Sequence, residues 1–147
     1  MISFLKDDSI TAMPDFEHRL VSAWIKNVAK FYGKRVGDVA YIFCSEPKIL
    51  QVNRQYLQHD YYTDIITFDY SSSSLLSGDI FISVPTVRSN ASLFSVPFTQ
   101  ELHRVIIHGI LHLTGQNDKT PSERAEMTRK EDHALSLLPY DLSTLNS

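Results

Sequence analysis

The chain has 147 residues, 43% hydrophobic and 21% charged, with 14 Lys+Arg against 17 Asp+Glu. That is enough to bury one core without covalent staples, and it reads as a single domain over 1–147. A single cysteine excludes a disulfide framework and a Cys-rich zinc ribbon, and a net charge of -3 speaks against a general nucleic-acid coat, which leaves a basic footprint.

The opening MISFLKDDSI lacks the basic and apolar regions of a secretory signal. No apolar run approaches the roughly 18 residues of a membrane span. A cytoplasmic, reducing setting with no membrane partner is expected. In chain order, a short strand is expected over Ile2 to Leu5. Pro14, Asp15 and Glu17 open a helix whose apolar positions Phe16, Leu20, Trp24, Val28 and Phe31 recur at helical spacing, with Gly33 as its stop. Lys26, Lys30, Lys34 and Arg35 load its end, as the helix dipole favours. Val39 to Cys44 reads as a strand with Cys44 a buried, inert thiol. Ser45-Glu-Pro starts a helix over Lys48 to Leu57.

His59 to Thr63 is expected as a loop, and Asp64 to Tyr70 and Gly78 to Val84 as strands around a flexible serine loop, Ser71 to Ser74. Asp60, Asp64, Asp69 and Asp79 crowd this stretch, which has no Lys or Arg. Turn and strand-end chemistry accounts for them, Gly78-Asp79 as a hairpin pair, although they could also surround a cation. Pro85 opens a short helix to about Leu93. Thr99 caps a helix over Gln100 to Thr114, with Gly115 just beyond its end. Thr120-Pro-Ser-Glu123 is a capping box opening the last helix, to about Leu138. There Glu126, Arg129 and Lys130 read as a solvated charge run. The fold class expected is α/β (α+β): a mixed four-stranded sheet with about five packed helices.

The helix Gln100 to Thr114 is apolar on most of its surface and carries His108 and His112 on one face. Two imidazoles four residues apart can hold one metal ion. An isolated pair is weak evidence, but buried histidines need partners, and one ion would satisfy both. Asp118, just past Gly115, can return as a third ligand. Two His and one Asp leave a fourth position for water, the pattern of a catalytic zinc site. Gly109 stands where an H-E-x-x-H peptidase places its base, which disfavours peptide hydrolysis by that route. No protein base is assigned. His103 and His133 are expected on solvent faces, and His59 in the loop before the strand, where edging the cleft is the lesser reading.

HGILHLTGQND, His108 to Asp118, resembles the signature of the YbeY family of bacterial metal-dependent endoribonucleases. Asn53, Tyr56, His59-Asp60 and Thr63 to Phe68 resemble its N-x-x-Y-x-x-x-D-x-x-T-D-V-L-S-F segment. Gly78-Asp79-Ile80 resembles its G-D-I strand, and Glu101-Leu102 the approach to the histidine helix. The resemblance implies a zincin-like metal helix and one zinc ion on His108, His112 and Asp118, with nickel also compatible. It implies cleavage of single-stranded RNA in rRNA maturation at the small-subunit 3′ end and in ribosome quality control. The ribosome or its proteins would be partners, and DNA would not. Two positions depart from the pattern. Asp118 stands where the family usually has histidine, and Leu57 where it usually has an arginine that reaches the cleft. Arg54 lies on another side of the helix and does not replace it. The alternatives are a ribosome-associated binding protein with a structural metal, and a metal-dependent hydrolase of another substrate such as a peptide.

The charges are unevenly placed. Lys26 to Arg54 holds six bases against two acids, and His59 to Asp79 four acids and no base. If the basic segment lines the cleft, the overall sign ceases to matter. If it faces away, RNA binding must lean on the metal or on a partner.

Overall fold

The computed structural model describes residues 1–58 and 63–142. The elements run β1 (Ile2–Lys6), α1 (His18–Phe31), β2 (Arg35–Cys44), α2 (Glu46–Leu57), β3 (Ile65–Asp69), β4 (Leu75–Ser83), α3 (Val84–Leu93), α4 (Phe98–Leu113) and α5 (Pro121–Ser136). The four strands form one sheet in the order β1-β2-β4-β3. β1, β2 and β4 are parallel, and β3 returns antiparallel to β4 at the border. The expected mixed sheet with five helices is therefore present.

Alternation along the strands divides the apolar side chains between two faces. Val39, Tyr41, Phe43, Ile80 and Ile82 join the larger core with Trp24, Ile25 and the apolar face of α4. Cys44, Ile66 and Phe81 meet Ile49 and Val52 of α2 in a smaller one. Cys44 is buried as expected, and burial pushes its thiol up to about 12, far from a nucleophile. The larger core also carries polar anchors. The Trp24 indole donates to the Ala134 carbonyl at 2.7 Å, and the Tyr41 hydroxyl donates to the Ile106 carbonyl at 2.8 Å. The second bond ties the sheet to α4.

Several local expectations are corrected. α1 begins at His18, because Phe16 belongs to the incoming segment, edge-on to Phe4 at 5.0 Å and tilted against Phe43 at 5.7 Å. Phe31 is not core: it is 62% exposed and rests on His133. β2 starts four residues before Val39, since a register shift between Val36 and Val39 hides its first residues from a two-residue period. β4 likewise starts at Leu75, so Gly78-Asp79 lies within a strand and not in a hairpin turn. The serine loop is tied down: Lys34 Nζ donates to the Ser73 carbonyl and Arg35 N to the Ser74 carbonyl. Thr99 is inside α4, whose cap is Pro97. The Ser45 cap and the Thr120–Glu123 capping box form as expected.

Candidate metal centre

α4 is held on the sheet by Leu102, Ile106, Ile110 and Leu113, all buried. The remaining strip of the helix borders a cleft of about 710 Å³. Along that strip lie Glu101, Arg104, Val105, His108 and His112, at the three-to-four spacing of one helix face. Border strand β3 supplies the opposite wall with Ile65, Thr67 and Asp69.

α4 ends in a Schellman turn. Gly115 (φ +106) donates to the His112 carbonyl at 2.9 Å, and Gln116 N to the Leu111 carbonyl at 3.1 Å. The positive φ is the reason a glycine stands there. The turn brings the Gln116 carbonyl within 2.9 Å of His112 Nδ1. At the far end of the same loop the capping box takes hold, with Glu123 Oε1 accepting from Lys119 N at 3.2 Å and Thr120 N at 3.0 Å. Asp118 is fixed between these two anchors.

Both ring nitrogens of each histidine are accounted for. His108 Nδ1 faces Glu131 Oε2 at 2.5 Å, and His112 Nδ1 faces the Gln116 carbonyl at 2.9 Å, so a proton on each Nδ1 has an acceptor and leaves Nε2 free to ligate. The two Nε2 atoms are left to face one atom: Asp118 Oδ2 lies 3.3 Å from that of His108 and 3.2 Å from that of His112. In a tetrahedral site with bonds of about 2.0–2.1 Å, neighbouring ligand atoms stand about 3.3 Å apart. The donor atoms of His108, His112 and Asp118 all lie within 4.8 Å of one another and form the only such group among the described residues. The three residues therefore fit a divalent ion.

The electrostatics fit as well. Burial works to lower the His108 imidazole, but the hydrogen bond and charge of Glu131, with Asp118 and Asp64, outweigh it and raise its pKa. His112 is lowered, by burial first and then by His108. Burial raises the Asp64 carboxyl against the pull of His108. Glu101 is 5% exposed, and burial, helped by Asp64 and Glu131 and opposed by Arg104, pushes it up to about 7. Among the described residues, five carboxylates line the cleft (Asp64, Asp69, Glu101, Asp118 and Glu131) against two cations, Arg104 and Lys119.

Of the aspartates singled out in the sequence, Asp64 and Asp69 reach the cleft and Asp79 does not. His59 and Asp60 lie outside the described residues. Leu57 lines the cleft where an arginine was looked for, and Arg54 does not line it. None of Lys26, Lys30, Lys34, Arg35 and Lys48 lines it either, so the basic segment faces elsewhere. His103 is a correction. It is 1% exposed, with Nδ1 2.7 Å from the Thr99 carbonyl and Nε2 2.6 Å from the Tyr140 hydroxyl, because its position on α4 faces α1 and the tail after α5 rather than solvent. His133 is exposed, as expected.

Sequence reasoning gave no role to Arg104 or Glu131. Arg104 shares the stripe of the histidines, a polar residue in an apolar helix. Glu131 shares the inward stripe of α5 with Met127 and Ala134, a carboxylate where an apolar residue belongs. Those misplacements were the available signals.

The family model for Endoribonuclease YbeY matches residues 5–139. The Endoribonuclease YbeY of Phocaeicola vulgatus is 64% identical over 126 residues, 86% of this chain and 91% of that protein. The one from Porphyromonas gingivalis (strain ATCC 33277) is 48% identical over 127 residues, 86% of this chain and 84% of that protein. Among solved structures, the solution structure of TM1509 from Thermotoga maritima superposes with a TM-score of 0.66 at 27% identity, covering 94% of this chain and 89% of that one. The match over residues 5–139 takes in the histidine helix and the loop that carries Asp118, and on it this chain belongs to the YbeY family.

Proposed function

We propose that this protein is a metal-dependent endoribonuclease that cuts single-stranded RNA, with His108, His112 and Asp118 holding one zinc ion. The observation that carries the reading is the convergence of two histidine Nε2 atoms on Asp118 Oδ2 at 3.3 and 3.2 Å, with both Nδ1 atoms already bonded elsewhere. When bound there, the ion supplies Lewis acidity toward a phosphodiester and its attacking water. The chain's own residues do the rest. Glu131 and the Gln116 carbonyl fix the two rings. The open cleft beside three donors favours a catalytic over a structural site, which closes its fourth position with protein. A single strand, unlike a duplex, can bend its backbone into a cleft and present it to the site. An acidic lining also makes phosphate binding depend on a cation in the site.

The family's name supports RNA as the substrate class. Within that class, the reading extends to rRNA maturation at the small-subunit 3′ end and to ribosome quality control in the cytoplasm, with the ribosome or its proteins presenting the strand. The non-catalytic alternative, a ribosome-associated protein with a structural metal, draws on Leu57, an apolar side chain in the cleft wall. Two measurements decide. Purified wild type should carry one equivalent of zinc and His112→Ala none, and wild type without a stoichiometric metal ends the metal reading. His108→Ala should lose cleavage of a single-stranded RNA. Cleavage at the wild-type rate by that variant would place the activity elsewhere.

A further inference from the structure

Resting on that reading, we infer that Glu131 and Arg104 are positioning residues for His108, and that α5 exists at the site to deliver this carboxylate. Glu131 spends one oxygen on each partner: Oε2 lies 2.5 Å from His108 Nδ1, and Oε1 accepts from Arg104 Nη1 at 2.8 Å. Arg104 closes the group from the other side by donating through Nη2 to Asp132 at 2.7 Å. Arg104 and His108 are four residues apart on α4 and so adjacent on its surface, and both reach across to α5. Glu131 is buried and Arg104 is half-buried, so neither bond of Glu131 is a screened surface contact, whereas the Arg104–Asp132 bond is exposed.

An imidazole has two neutral tautomers, and only the one protonated at Nδ1 leaves the Nε2 lone pair facing Asp118. Glu131 stands 2.5 Å from Nδ1 where Asp118 stands 3.3 Å from Nε2, so the closer carboxylate favours that tautomer and sets the ring's rotation. A carboxylate held at its second oxygen by a guanidinium keeps its aim. His112 takes its orientation from a backbone carbonyl instead. The two histidines are thus set by different devices, and only that of His108 can be removed by substitution.

The test uses metal-free full-length protein at pH 9, well above the ordinary imidazole range, with zinc alone as the probe. Imidazole nitrogen NMR should show His108 and His112 both protonated at Nδ1 in the wild type. Glu131→Met, which keeps the volume and removes the acceptor, should turn His108 into a mixture of tautomers, leave His112 unchanged and weaken zinc about 10- to 100-fold in chelator competition. Glu131→Gln keeps an acceptor oxygen and should restore the His108 signature and most of the affinity. Arg104→Met should weaken zinc in the same direction and more mildly. The His112 signal reports whether each variant is folded. If Glu131→Met is not, Arg104→Met at the half-buried position carries the test. Unchanged His108 tautomer and unchanged zinc affinity in the folded variants would overturn the inference. A wild type that shows the Nδ1 signature yet binds no zinc would instead remove the metal reading and leave the positioning intact.

Discussion

Gly109 lies against Ile80 so closely that a Cβ on it would stand 3.0 Å from Ile80 Cδ1 and 3.2 Å from Cγ2, with Ile65 Cδ1 also at 3.2 Å. The residue after the first histidine therefore faces the sheet, not the cleft. A glutamate there could not serve as a base, because its carboxylate would be driven into the floor of β3 and β4. Gly109→Ala gains about 1 kcal/mol of helix propensity but crowds the buried Ile80 and the half-buried Ile65, and overpacking of that kind costs about 1–3 kcal/mol. Gly109→Glu, which writes the H-E-x-x-H spacing into this chain, should destabilise by more than about 3 kcal/mol and give no peptidase. Urea unfolding and a casein digest check both halves. A stable Gly109→Glu protein that cleaves peptide would refute the packing argument.

Gly78 offers a sharper steric test. A Cβ there would meet the Phe68 carbonyl oxygen at 2.3 Å, a backbone atom that no rotamer change can move. Gly78→Ala should separate β4 from β3 locally and cost about 3 kcal/mol or more, seen as a lowered denaturation midpoint. Because β3 walls the cleft, zinc affinity should fall in the same variant. A Gly78→Ala protein of wild-type stability would show that the two strands are further apart than 2.3 Å implies.

Glu101 gives stability a pH dependence. Its folded pKa of about 7 lies above the ordinary 4.5, so the folded state holds the proton more tightly than the unfolded one. Its stabilising contribution is complete below pH 4.5, declines as pH rises from 4.5 to 7, and is absent above. In metal-free protein the loss is on the order of 3 kcal/mol. Glu101→Gln should match wild type in urea unfolding at pH 4 and exceed it at pH 8. An equal difference at both pH values would mean that Glu101 does not titrate as its burial implies.

Among the described residues, Lys119 is the cleft cation that remains once Arg104 is committed to two carboxylates. It sits next to Asp118, on the loop held by the capping box. Lys119→Ala should weaken RNA binding and lower the slope of log affinity against log salt by about 1, with little effect on the rate at saturating RNA. Reversing Lys30 and Lys34 to Glu should leave that slope alone, because neither lines the cleft. A slope that responds to the helix lysines and not to Lys119 would move the RNA path to the other side of the molecule.

Much of the centre was legible before the fold. His108 and His112 share a helix face because of their spacing, Gly115 signals the turn, and the Thr120–Glu123 box marks where the loop ends, so Asp118 had few places to go. What local pattern could not carry was anything set by a partner distant in sequence. Glu131 acquires its part only when α5 docks on α4. His103 looked solvent-facing until Tyr140 and Thr99 closed over it. The true start of β2 was hidden for a related reason, since a register shift against β4 interrupts the alternation that signals a strand; β4 keeps its alternation from Leu75 onward, and there Gly78-Asp79 read as a turn. Leu57 was legible as a departure, and its place in the cleft wall sharpens the question of what supplies positive charge there.

The Schellman turn after α4 also sets an order of assembly. His112 and Asp118 are six positions apart, and a loop that short costs little entropy to close once the helix has formed. All three donor residues are therefore in reach of one another as soon as α4 and its turn exist. Glu131 lies 23 positions beyond His108, on the final helix. During synthesis the donors leave the ribosome before the residue that aims the first of them, so a chain that stops short of α5 carries the three side chains with His108 free to present either nitrogen.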